Sequence, residues 1–85
     1  MKEIRILGIH LTNRAQTALD VQSALTKFGC SISTRLGLHE AGEERCSTGG
    51  LILLELTGAA EEAMKLENEL LKIEGVEVKK MVFAE

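Results

Sequence analysis

Ile4-Arg5-Ile6-Leu7-Gly8-Ile9-His10-Leu11 decides the fold. Successive side chains of a strand point to opposite faces, so Ile4 and Ile6 lie on one side and Leu7, Ile9 and Leu11 on the other. A strand apolar on both faces belongs in the middle of a sheet. The segment from Gly50 to Thr57 reads the same way, because Leu51-Ile52-Leu53-Leu54 is apolar without alternation. Two central strands require further strands at the edges and something to cover at least one face.

Working outward, Thr12-Asn13-Arg14 breaks the first strand. Asn13 is suited to cap a helix, and Gln16 three residues on completes a capping box. The spacing of Ala18, Val21, Ala24, Leu25 and Phe28 predicts an amphipathic helix from about Arg14 to Phe28. Gly29 then ends it, in the usual position past the C-cap. Ser31 to His39 alternates as a half-buried strand. Ile32, Thr34, Leu36 and Leu38 fall on one face, and Ser33, Arg35, Gly37 and His39 on the other. Glu40 to Gly49 is a polar, glycine-containing loop. A second helix is expected from about Ala60 to Ile73, with Glu61 and Glu62 favouring its N-terminus through the helix dipole. Leu66, Leu70 and Ile73 form its apolar stripe. Gly75 ends it, and Val76 to Phe83 is the last strand.

The order is βαββαβ. Right-handed crossovers fold that order into an α+β, ferredoxin-like sandwich: an antiparallel sheet in the order 4-1-3-2 with two helices on one face. The two central positions go to the first and third strands, which composition had already marked as central. Eighty-five residues fit one domain, residues 1–85. A domain so small buries only about 60–65% of the surface that its unfolded chain exposes, which favours oligomerisation.

The topology brings the C-terminal ends of the first two strands to the same edge. His10 and Asn13 leave the first strand there, His39 and Glu40 leave the second, and Cys46 follows in the loop. Cys30 is expected at the other end, too far from Cys46 for a disulfide. On the face without helices, the expected occupants are Ser33, Arg35 and Glu55 with Leu51, Leu53, Ile4, Ile6 and His10. An apolar patch on an uncovered sheet marks an interaction surface, and a second copy is the simplest partner.

The candidate ligand-binding residues are therefore His10, Asn13, Arg35, His39 and Cys46. His10, His39 and Cys46 have the chemistry of zinc or nickel ligands. The two histidines stand two strand spacings apart, on the order of 10 Å between backbones. No CxxC, HxH or HExxH spacing accompanies them, and ordinary surface histidines are the alternative. Arg35 suits an acidic ligand or, alternatively, an ion pair with Glu55. Gly49-Gly50 is not a phosphate loop, since no Gly-Lys-Ser or Gly-Lys-Thr follows. No nucleophile, base and orienter come together as catalysis requires, so the chain reads as a non-enzyme.

Composition narrows the partners. Net charge is −3, and Phe28 and Phe83 are the whole aromatic content. Nucleic-acid binding modules show the opposite charge balance and exposed stacking rings, so direct DNA or RNA binding is not expected. No apolar run approaches the roughly 20 residues that span a bilayer. The start of the chain, Met1-Lys2-Glu3-Ile4-Arg5, lacks the apolar core of a signal peptide. Cys30 and Cys46 fit no disulfide framework. A cytoplasmic location with reduced thiols is the expectation.

Three stretches carry a resemblance: Ser33-Thr34-Arg35-Leu36-Gly37-Leu38-His39, Cys46-Ser47-Thr48-Gly49-Gly50-Leu51-Ile52-Leu53-Leu54-Glu55-Leu56, and Ile73-Glu74-Gly75-Val76-Glu77-Val78-Lys79-Lys80-Met81-Val82-Phe83. Over nearly its whole length the chain resembles the small ACT-like regulators of the iron-only hydrogenase system. The resemblance implies an ACT-like fold, similar to the C-terminal domain of nickel-responsive repressors. Those repressors hold nickel with several His and one Cys at a tetramer interface; here the chain has two His. ACT domains bind amino acids near the first strand–helix loop, here Thr12-Asn13-Arg14. Together these readings predict a homo-oligomeric module, dimer or tetramer, that senses a small molecule or a metal. A metal-binding protein and a structural subunit for a protein partner are the alternatives.

Overall fold

The computed structural model of the chain describes residues 3–12, 15–38 and 50–84. In chain order the elements are β1 (Glu3–Leu11), α1 (Ala15–Lys27), a single 3-10 turn (Gly29–Ser31), β2 (Ile32–Leu38), β3 (Gly50–Leu56), α2 (Ala60–Leu71) and β4 (Val76–Ala84). The sheet order is β2-β3-β1-β4, the expected 4-1-3-2 read from the other edge. Every pairing is antiparallel. The fold is ferredoxin-like, as the element order required.

One face of the sheet is covered. Leu7, Ile9 and Leu11 of β1 and Leu54 and Leu56 of β3 are buried against Val21, Ala24 and Leu25 of α1 and Ala63, Leu66 and Leu70 of α2. Ala18, Phe28 and Ile73 of the expected helical stripes pack at the margin of this core. Lys27 of α1 and Glu69 of α2 pair at 3.3 Å, and Lys80 of β4 reaches Glu67 of α2 at 3.4 Å. Burial of the apolar stripes, at about 25 cal/mol per Å² removed from water, is what holds the layers together; these exposed ion pairs add little.

The α2–β4 turn is tied to the far end of β1. Gly75 has φ +90°, which glycine adopts without steric cost. Its carbonyl accepts from the Thr12 amide at 2.9 Å. Thr17 of α1, itself buried, donates its hydroxyl to the Glu74 carbonyl at 3.1 Å.

Gly29 stands just past the end of α1, as expected. Helix α1 ends at Lys27, and Gly29 opens the 3-10 turn without a positive φ. Gln16 Nε2 donates to Asp20 Oδ1 at 2.8 Å, which leaves its Oε1 as the acceptor that a capping box uses. Its expected capping partner, Asn13, lies outside the described residues.

The phase of β2 is corrected. The register of β2 on β3 shifts between Ile32 and Thr34. Ile32 faces Leu56, but beyond the shift Thr34 faces Glu55, Arg35 faces Leu54 and Leu36 faces Leu53. A bulge at Ser33 inserts one residue, and one residue exchanges the two faces of a strand. Leu36 and Thr34 therefore lie on the uncovered face, and Arg35 lies on the helix side.

Candidate functional site

The expected site at the strand ends is only partly described. His10 is exposed on the uncovered face near the end of β1, in register with Leu51 of β3 and Glu77 of β4. Asn13, His39 and Cys46 lie outside the described residues. Arg35 does not join His10, because the bulge turns it to the other face. Nor does it pair with Glu55, whose Oε1 instead accepts from the Thr34 hydroxyl at 3.3 Å. Among the described residues no group of three or more His, Cys, Asp or Glu side chains is placed to hold a metal ion. Cys30 is exposed and unbridged.

The uncovered face is better defined. Its cross-strand rows follow from the registers. Leu36, Leu53, Gly8 and Lys79 form one row. Thr34, Glu55, Ile6 and Met81 form the next. Ile4 and Phe83 form the last. An apolar band thus crosses the sheet obliquely, from Leu36 and Leu51 through Leu53 and Ile6 to Met81 and Phe83. Leu36, Met81 and Phe83 are each about half exposed (51%, 52% and 51%). The band was legible in part from Ile4, Ile6, Leu51 and Leu53. Alternation alone puts Leu36 on the other face, because a bulge leaves no mark on it.

A second feature escaped the sequence reading. At the opposite end of the sheet, where β1 begins, β3 ends and α2 starts, the surface forms a recess of about 600 Å³. It is lined by Arg5, Ser33 and Thr57, and by the small residues Gly58, Ala59, Ala60 and Ala63, with Glu3 and Glu55 beside them. Arg5 stands in the covered-face row of Leu7, Ile9 and Leu11. Its side chain is 11% exposed, and its Nη2 donates to Glu3 Oε1 at 3.0 Å. The one sequence signal was a charged residue at a core-facing strand position.

These features sit on a widely used scaffold. The chain is similar in structure to the uncharacterized protein TM1266 from Thermotoga maritima, with 25% identity over 98% of this chain and 100% of that one and a TM-score of 0.82. It also resembles the regulatory subunit of aspartate kinase from Thermus flavus, at 17% identity over 96% of this chain and 56% of that one, with a TM-score of 0.52. A formyltetrahydrofolate deformylase from Pseudomonas putida KT2440 matches at 13% identity, over 92% of this chain and 28% of that one, with a TM-score of 0.53. The last two likenesses concern the fold alone. No family model matches the chain, and no curated protein matches it.

Proposed function

We propose that this chain is a homo-oligomeric regulatory module that senses a small ligand and is not itself an enzyme. The observation that carries this reading is the oblique apolar band on a sheet face that no other part of the described chain covers. Monomeric proteins rarely leave so continuous a patch in water. A second copy is the occupant that fits. Lys79 flanks the band on the β4 side, and Thr34 and Glu55 flank it on the β2 side. A two-fold axis lying along the band brings Lys79 of one copy toward Glu55 of the other, and does so twice.

The similarity in fold to the aspartate kinase regulatory subunit is in keeping with a sensing role. The resemblance in sequence to ACT-like regulators points to the iron-only hydrogenase system as the process served. Ligand binding would act by shifting the balance between association states or protein partners.

Native mass spectrometry and sedimentation of the untagged protein test the reading. The wild type is expected as an oligomer, and Leu53→Lys as a monomer with an unchanged far-ultraviolet circular dichroism spectrum. A wild type that remains monomeric at high micromolar concentration would overturn it.

A further inference from the structure

We propose that the recess between Arg5 and the start of α2 binds a small oxyanion, the carboxylate or phosphate group of a ligand. This goes beyond the sensing role and rests on that role only for its biological meaning. The site itself stands on the following geometry.

A guanidinium carries five N–H donors and cannot lose its charge in a protein. Placed in the row of Leu7, Ile9 and Leu11, it has to find acceptors nearby. Glu3 satisfies Nη2 from the rim, with its own side chain 43% exposed. Arg5 Nε, however, is buried and has no hydrogen-bond partner among the described residues. An unpaired buried donor is a costly arrangement that native structures retain for a reason. The unused Nε edge of an arginine is one of the two edges that grip a carboxylate or phosphate with paired hydrogen bonds.

The opposite wall supplies donors of the same sign. Helix α2 runs for twelve residues, and its N-cap, Ala59, has no side chain able to cap it. The first amides to bond back are those of Glu62 and Ala63, both onto the Ala59 carbonyl. The amides of Ala60 and Glu61 therefore lack intrahelical acceptors, and the helix dipole adds partial positive charge at the same place. Gly58, with φ +88°, turns the chain from β3 into the helix. On the α2 side the lining is Gly58, Ala59, Ala60 and Ala63, whose small side chains leave the space open. Its volume falls within the range of small-ligand sites. Of the acidic groups nearby, Glu55 also lines the recess and accepts from the Thr34 hydroxyl at 3.3 Å, and Glu62 is paired with Lys65 at 3.0 Å. Glu3 is already bound to the arginine. It is the internal carboxylate that an incoming anion would displace or share with.

Amide and arginine Nε–H signals of the ¹⁵N-labelled protein report directly on this site. Sodium phosphate and sodium acetate are titrated in separate arms, with sodium chloride at matched ionic strength as reference. The Ala60, Glu61 and Arg5 Nε–H signals are expected to move and to saturate at millimolar concentration. Saturation with phosphate alone assigns a phosphate site, with acetate alone a carboxylate site, and with both a site for either group. Arg5→Gln is expected to abolish saturation. Glu3→Gln, which removes the competitor and leaves the core untouched, is expected to tighten binding severalfold. Shifts that only follow the chloride reference, that persist in Arg5→Gln, or that keep the wild-type affinity in Glu3→Gln would overturn the proposal.

Discussion

Thr34 and Glu55 lie side by side on the uncovered face of the sheet, the threonine hydroxyl donating to Glu55 Oε1 across 3.3 Å. That one contact reports the phase of all of β2 beyond its bulge. With Thr34 opposite Glu55, Leu36 has to stand opposite Leu53 on the same face, and Arg35 opposite Leu54 on the other.

The first prediction tests that phase. Leu36→Lys places a charge within the apolar band and is expected to lower self-association at least tenfold, which is about 1.4 kcal/mol. Arg35→Ala, one residue away, is expected to leave association unchanged. Sedimentation equilibrium on both variants decides. Equal effects, or the reverse order, would mean that the strand keeps strict alternation from Ser31.

The second concerns two glycines that look alike in sequence, each standing after a helix. At Gly75, φ is +90°, and an added Cβ would stand 2.6 Å from Thr12 Oγ1 and 3.0 Å from Thr17 Oγ1. Gly75→Ala is expected to cost about 1–2 kcal/mol from the left-handed backbone alone, and more from displacing the threonines. At Gly29 the added Cβ meets nothing within 4 Å, and φ is not positive. Gly29→Ala is expected to be neutral or to stabilise by up to about 1 kcal/mol through the unfolded chain. Thermal melts at one fixed protein concentration separate the two.

The third addresses the core. Leu70 is fully buried, while Leu71 beside it is 55% exposed. Leu70→Ala is expected to cost about 2–5 kcal/mol, the lost transfer energy plus the cavity left behind. That is a large share of the roughly 5–15 kcal/mol that such domains possess. Leu71→Ala is expected to stay within about 0.5 kcal/mol of wild type. Urea unfolding has to be followed by circular dichroism, since the chain contains no Trp or Tyr.

By itself the sequence determined the element order, the two central strands and the covered face. Each of these depends on periodic apolar residues, and period is a one-dimensional property. Leu7, Ile9 and Leu11 alternate, while Val21, Ala24 and Leu25 recur at helical spacing. A chain so patterned buries those faces with little choice of topology. Only the tertiary structure decided the phase of β2, the whole extent of the apolar band and the recess around Arg5. A bulge adds one residue without altering composition, so Ser33 reversed every face beyond it with no trace in the pattern. The recess joins the start of β1 to the end of β3 and the start of α2, which lie more than 50 residues further along the chain. Arg5, Gly58 and Ala59 become one site only when the sheet sets β1 beside β3 and the chain turns at Gly58 into a helix that no side chain caps.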